Sequence, residues 1–439
     1  MKPIFLFGIL LLAQTVLAQE KTWTMEDCIR YAVEHNPQRT QQEAQNTIYK
    51  IDQQEAIAGF LPSLTAESGI STNFGRGVDP ETNTYISTNT FGNSYDIYSS
   101  MTLFDGLSQI YRAKLAKINH LMGNQQLQDV KDRIALETME IFFNVRYYKG
   151  TVNMADQQWQ ESTSSLKRIQ RMEELGMKAA PDVAEIRAKE AEDRFLLTQQ
   201  KNLLRIETIK LKEKMNFPAE EELLVADAGT PELIPVSDEN AVTVYEQALQ
   251  TLPKILSAKE SLKATEAAYK IARGRIFPTL SLGAQFSTGF SRLMDGSSYM
   301  SFSEQLKNRE GTSVALTLSI PVFDRLSRPS EARRAKQRLV IARSEHEATL
   351  RQIYSEIEQA VADVRGLQDE SRSAHEKTEA MREAHKVNAR KYDEGLINAI
   401  ELATSANRLL NARVEELHTH LKYQLKGKLL QYYKGEFNP

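Results

Sequence analysis

Between residues 312 and 323 apolar and polar side chains alternate. Val314, Leu316, Leu318, Ile320 and Val322 fall on one face, and Ser313, Ala315, Thr317 and Ser319 on the other. A period of two predicts a strand with one apolar and one polar face. Residues 279–290 alternate in the same way, with Leu280, Leu282, Ala284, Phe286 and Phe290 opposed to Ser281, Gly283, Gln285, Ser287 and Gly289. Weaker versions lie at 63–74, with Leu64, Ala66, Ile70 and Phe74, and at 94–104, with Tyr95, Ile97, Met101 and Leu103. Each strand is about ten residues long, enough to cross a bilayer at a tilt; the edge of a soluble sandwich would read alike. Polar segments 75–93 and 291–311 join the strands and are as long as outward-facing barrel loops.

The helical pattern is more demanding. No proline interrupts residues 107–175, and at 1.5 Å per residue such a helix reaches roughly 100 Å. A run of similar length covers 330–394. Helices this long cannot be buried in a globular core and belong in a bundle, a tube or a solvated two-stranded coil. The seam Ala332, Ala335, Leu339, Ala342, His346, Thr349, Ile353 keeps three-four spacing with mostly small side chains. Such a seam suits helices set side by side in a curved wall better than a Leu/Ile coiled coil.

The chain also repeats itself. Pro37, closing YAVEHNP, answers Pro253, closing EQALQTLP, and Pro62 in GFLPSLT answers Pro278 in RIFPTLS; both pairs are 216 residues apart (253−37 and 278−62). Phe104 in TLFDG answers Phe323 in PVFDR, and Gly176 in EELGMKAAPDV answers Gly395 in YDEGLINAIEL, both 219 apart (323−104 and 395−176). The predicted organisation is therefore a first repeat at 19–216, a connector at 217–240 marked by Pro218, Pro231 and Pro235, a second repeat at 241–434 and a short tail at 435–439. Each repeat reads short helix, strand, loop, strand, very long helix, tight turn, helix.

Composition adds location. Residues 1–18, MKPIFLFGILLLAQTVLA, have a basic start, a short apolar stretch and small residues at the end, as a signal peptide does. The only cysteine, Cys28, leaves no disulfide to form within the chain, so packing alone holds the fold, with Cys28 as a small buried residue of an amphipathic helix. The mean hydropathy of −0.45 does not exclude a membrane barrel, whose alternating strands average to neutral. A net charge of −3 from 55 basic and 58 acidic residues, interspersed along the chain, is no footprint for nucleic acid. There is no phosphate loop, dinucleotide fingerprint, HExxH or nucleophile elbow, and His418 and His420 face different ways on a helix; neither enzyme, cofactor nor metal site is expected.

Four strands cannot close a membrane barrel, because every backbone group must be paired within the hydrocarbon. Three chains supply twelve strands and an internal channel. The fold class expected is mixed α+β, mainly α: an internally duplicated protomer with four long transmembrane strands and very long helices, building a trimeric twelve-stranded β-barrel with the helices as a cylinder beyond it. The apolar strand face would meet outer-membrane lipid.

The FLPSL and IFPTL segments that open the strands, the LFDG and PVFD segments that close them, and the LG and EG tips followed by an acidic residue resemble the TolC family of outer-membrane efflux proteins. The resemblance spans the mature chain and implies a homotrimer, a periplasmic α-helical barrel continuous with the β-barrel, and docking on a periplasmic adaptor linked to an inner-membrane pump in an efflux or type I secretion system. A periplasmic coiled-coil adaptor or structural scaffold is the alternative. Such an adaptor has one helical hairpin where this chain has two, each preceded by paired strands.

Gly176 and Gly395 are placed to end helices in the left-handed conformation. Asp182 with Glu185, and Glu401 with Thr404, lie three apart on one helical face beyond each turn. Asp182 and Glu401 also suit the positive start of the next helix. The resemblance implies that Glu401 belongs to an acidic ring at a closed periplasmic entrance, that Thr404 departs from that ring's second member, and that Tyr392 and Asp182 form a latch between tips. Ile397 stands where relatives often carry a basic latch residue. Gly176, Met177, Lys178, Gly395, Leu396 and Ile397 are the expected adaptor-docking tips.

Overall fold

The computed structural model describes residues 22–78, 83–87, 89–226, 240–294 and 300–437. The signal peptide expected at 1–18 and residues 227–239 of the connector lie outside the described residues. The first half runs β1 (Thr22–Trp23), α1 (Met25–His35), α2 (Pro37–Ala58), β2 (Ser63–Asn73), β3 (Arg76–Val78), β4 (Tyr85–Ser87), β5 (Thr90–Phe104), α3 (Ser108–Glu174), α4 (Ala180–Met215) and β6 (Leu224–Val225). The second runs α5 (Ala241–Thr251), α6 (Pro253–Gly274), β7 (Thr279–Leu293), α7 (Phe302–Asn308), β8 (Gly311–Ser319), α8 (Ser327–Asp393) and α9 (Ala399–Lys434). Corresponding helices are equal in length: 11 residues for α1 and α5, 22 for α2 and α6, 67 for α3 and α8, 36 for α4 and α9. Packing divides the chain into two compact units, each drawn from both halves. One holds residues 40–129 and 249–354; the other holds residues up to 39, 130–248 and from 355 onward.

In the first of these units β2, β5, β7 and β8 form a single antiparallel sheet in that order. Its two hairpins share one register. Moving the pair Ser63↔Ser100 along by 216 and 219 residues gives Thr279↔Ser319, which is the pair that β7 and β8 make. β8 is shorter than its alternation predicts: it stops at Ser319, leaving Ile320 and Val322 outside, because Pro321 has no N–H to give to a ladder. At the other end β5 begins at Thr90 and β7 continues to Leu293. The polar segments between strands carry structure of their own. β3 pairs with β4, and α7 packs on β7 around the fully buried Gln305, whose amide accepts from the Ser291 N–H at 3.0 Å and donates to the Met300 carbonyl at 3.2 Å.

The turns from strand to long helix are built alike in both halves. The Gln109 N–H donates to Asp105 at 3.0 Å and the Arg328 N–H to Asp324 at 2.9 Å, so each aspartate satisfies a donor that the helix start leaves open. Gly106, at φ 68°, lies so close to α6 that a Cβ on it would stand 2.0 Å from the Gly274 carbonyl oxygen. Ser108, 1% exposed, donates to the Ile271 carbonyl at 3.2 Å. Along α8 the small-residue seam is buried at Ala332, Ala335, Leu339 and Ile353.

The second unit is a helical core. Thr24 and Asp27 form a capping box at the start of α1, with the Asp27 N–H donating to the Thr24 hydroxyl at 3.1 Å. The helix then buries Cys28 and Ala32 against Ile134, Phe142 and Val145 of α3 and Leu211 and Met215 of α4. Cys28 is a buried thiol here, filling space between helices. β1 pairs in parallel with β6, which adds Val225 to the same core beside Leu223 just before it. Ile29 on the neighbouring face of α1 packs with Ala135, Met139, Phe143 and Leu421, bringing in α9.

Candidate gate at the helical tips

The far ends of both hairpins lie in this second unit. Each long helix stops on the same motif. The Met177 N–H donates to the Met172 carbonyl and the Gly176 N–H to Glu173, both at 2.8 Å; the Leu396 N–H donates to Lys391 at 2.8 Å and the Gly395 N–H to Tyr392 at 3.0 Å. These are paired Schellman turns, with Gly176 at φ 71° and Gly395 at φ 75°. The expected docking residues sit on them: Met177 and Leu396 are each 68% exposed, and Lys178 and Ile397 are half-buried.

The helices that follow start differently. α4 begins at Ala180 behind Ala179, which offers no side-chain cap, and Asp182 lies in its first turn. α9 begins behind Asn398, whose side-chain oxygen accepts from the Glu401 N–H at 2.9 Å. Asp182 is half-buried, while Glu185, Glu401 and Thr404 are exposed; Thr404 donates its hydroxyl to the Ile400 carbonyl at 2.8 Å.

Tyr392 is drawn inward. It packs with Leu166 on a cluster of Ile169, Val183, Ile186 and Ala399, which joins all four helices. Lys178 Nζ stands 5.7 Å from the ring centroid, within cation–π range. Burial pushes the phenol above its ordinary value, Arg168 opposes this, and the charges of Asp182 and Asp393 add to it, so the hydroxyl stays protonated at neutral pH. Asp182 therefore acts on Tyr392 through its charge. Among the described residues no hydrogen bond joins the two side chains. Arg168 reaches Asp393 at 3.3 Å, an exposed pair that adds little by itself.

Between the hairpins lies a cavity of about 690 Å³, lined among others by Ser162, Arg168, Lys189, His385 and Tyr392. Lys189, whose side chain is 12% exposed, donates to Asp193 and to Asn407, both at 2.6 Å; the Asp193 side chain is 1% exposed. This bridge from α4 to α9 was not singled out from the sequence. Its spacing of four on a helix is visible there, but nothing local says that it faces inward. Among the described residues no cluster of His, Cys, Asp and Glu is arranged to hold a metal ion, and no helix is long and apolar enough to cross a membrane.

Residues 244–431 match the family model described as outer membrane efflux protein. No curated protein matches the chain. Among solved structures, CusC superposes with a TM-score of 0.81 at 15% identity, covering 96% of both chains. The CmeC outer membrane channel of Campylobacter jejuni gives 0.80 at 14%, covering 94% of this chain and 86% of its own. The outer membrane protein VceC of Vibrio cholerae gives 0.79 at 12%, covering 94% and 96%. These likenesses extend the fold to the first half, which lies outside the family match but repeats its helices length for length. Residues 244–431 thus match the outer membrane efflux protein family model, and nearly the whole chain shares its fold with solved outer-membrane channels.

Proposed function

We propose that this chain is the protomer of a trimeric outer-membrane efflux channel, handing small molecules or other exported substrates from a periplasmic adaptor and an inner-membrane pump to the exterior. One observation carries this beyond the family match: the four-stranded sheet is open, and every residue of its two edge strands is exposed. A sheet with two unpaired edges and apolar side chains on one face is unstable in lipid by itself, whereas three copies edge to edge make a closed twelve-stranded wall. The remaining boundaries follow from this reading: signal peptide 1–18, repeats 19–216 and 241–434, connector 217–240 and tail 435–439.

The tips are then the periplasmic entrance. Tyr392 and Asp182 bias it closed, Glu401 with Glu185 makes the constriction prefer cations because three copies converge on one axis, and Gly176, Met177, Lys178, Gly395, Leu396 and Ile397 receive the adaptor. Exposed Met177 and Leu396 support the last assignment, since large apolar side chains at a tip invite a partner. The test is fractionation followed by planar-bilayer recording of the purified protein. Trimers in the outer-membrane fraction that conduct ions support the proposal; a soluble periplasmic protein without conductance sinks it in favour of a coiled-coil adaptor.

A further inference from the structure

A second cavity, of about 410 Å³, lies between α3, α4 and α9. Phe143 and Leu421, which also serve the helical core, give it an apolar lining. Tyr147, Tyr148 and His418 add rings set edge to face. The Tyr147 ring centroid stands 5.0 Å from that of Tyr148 and 5.4 Å from that of His418, at interplanar angles of 67° and 65°. Burial and the neighbouring Tyr148 push the Tyr147 phenol above its ordinary value, so this ring is uncharged at neutral pH. Glu207 lines the same cavity and is 9% exposed. Lys210 donates to its Oε1 at 2.6 Å, and among the described residues no hydrogen bond reaches its other oxygen.

The helical scaffold does without this set elsewhere. At the matching places of the repeat, Tyr147 is answered by Gly366 (147+219), Tyr148 by Leu367 (148+219), Glu207 by Lys426 (207+219) and His418 by Gln199 (418−219). A Cβ at Gly366 would meet nothing within 4 Å, so the equivalent position leaves open space where Tyr147 places a ring. Burying a carboxylate costs desolvation free energy, which a closely placed cation offsets. The lysines nearby supply that in part. The Lys210 side chain is 54% exposed and Lys422 is exposed, so both ammonium groups stay hydrated. Lys377 is engaged with Glu415 at the rim, at 2.7 Å.

We infer that this cavity is a binding site for a lipophilic organic cation, such as a quaternary ammonium or phosphonium, held by the rings of Tyr147, Tyr148 and His418 with Glu207 as counter-charge. The apolar groups of such a ligand rest on Phe143 and Leu421. A largely apolar concavity with one well-placed charged group is the usual form of a small-molecule site. Aromatic rings attract a cation more strongly once water is excluded, and the same low dielectric turns an anion of equal shape away from Glu207. The site lies within one protomer and goes beyond the channel reading without depending on it.

Tetraphenylphosphonium and tetraphenylborate, ions of one shape and opposite charge, test this when titrated calorimetrically into the purified full-length protein in mild detergent, with the heat of protein-free detergent subtracted. The phosphonium should bind saturably and the borate should not. Glu207→Gln, which keeps the shape and removes the charge, should weaken phosphonium binding about tenfold. Asn411→Trp, at an exposed position of the rim, should block it. Glu401→Gln at the distant tip should leave it unchanged. Circular dichroism checks that each variant is folded. If Glu207→Gln is not, His418→Ala removes an exposed ring and should weaken binding about threefold. No saturable binding to the unaltered protein, equal affinity for the two ions, or full affinity in the folded Glu207, His418 or Asn411 variant overturns the site. Loss of binding in Glu401→Gln moves the cation to the tips and overturns it as well.

Discussion

The two helical tips are one backbone carrying two chemistries. Gly176 and Gly395 occupy equivalent places 219 residues apart, adopt φ within a few degrees of each other and close identical hydrogen-bond pairs. Around them the side chains diverge. At the same offset Asp182 answers Glu401, but Lys178 answers Ile397, Arg168 answers Val387, Glu173 answers Tyr392, and Asp193 answers Ala412. Beside the tips, Lys178, Arg168 and Lys189 of the first hairpin thus reach across to the second, and farther along Arg413 of the second reaches back to Gln157. Turning the chain needs only a left-handed residue, so the repeat preserved that; holding two hairpins together needs complementary partners, so duplicated tips had to become different.

The largest test of this difference is the Lys189–Asp193–Asn407 bridge. Asp193→Ala should cost about 2–3 kcal/mol, because it leaves a nearly buried ammonium with only the exposed Glu192 carboxylate, at 3.5 Å, as counter-charge. Thermal unfolding followed by helical circular dichroism measures it, and Lys189→Met with Asp193→Leu should recover most of the loss. A small effect of Asp193→Ala would mean that the bridge does not bind the hairpins. Next come Gly176→Ala and Gly395→Ala. A Cβ at either site meets nothing within 4 Å, so only the left-handed backbone is penalised, at about 1–2 kcal/mol in both. Unequal costs in the same unfolding assay would break the backbone identity of the tips.

The helix starts offer a comparable contrast. Asn398→Ala removes the cap on the Glu401 N–H and should cost about 1 kcal/mol, whereas Ala179→Asn supplies a cap that α4 lacks and should stabilise by up to that amount. Opposite signs in denaturant midpoints are the expected result. The smallest effect is at Tyr392. Burial raises its phenol pKa, so its contribution to stability is full below the ordinary value of 10.0 and is lost as pH rises through the raised folded value. Tyr392→Phe should remove this alkaline loss and leave stability at neutral pH nearly unchanged. In bilayer recordings the same variant, combined with Asp182→Ala, should raise the open fraction; unchanged gating would count against the latch.

Much of this was legible in local patterns. The alternation at 279–290 lies wholly within β7, and the uninterrupted run at 107–175 differs from α3 by one residue at each end, because side-chain period and freedom from proline are properties of a short window. Other features depend on what a segment meets. The alternation continued through Ile320 and Val322, yet the strand ended at Ser319, where Pro321 breaks the ladder. α7 is too short to declare a period, and it is anchored by the Gln305 side chain on the Ser291 N–H of β7, 14 residues earlier. Lys189 and Asp193 looked like any exposed i, i+4 pair until α9 covered them.

The sequence by itself determined the long helices and strands, their order, their duplication and the glycines that turn the tips, since each of these follows from steric and hydrophobic periodicity along neighbouring residues. Only the tertiary structure decided which copy of a repeated position is buried. Ser108 and Ser327 stand in nearly the same local sequence, FDGLS and FDRLS, and one is sealed while the other is open. Burial is a relation between surfaces, and two like segments in one chain have different neighbours.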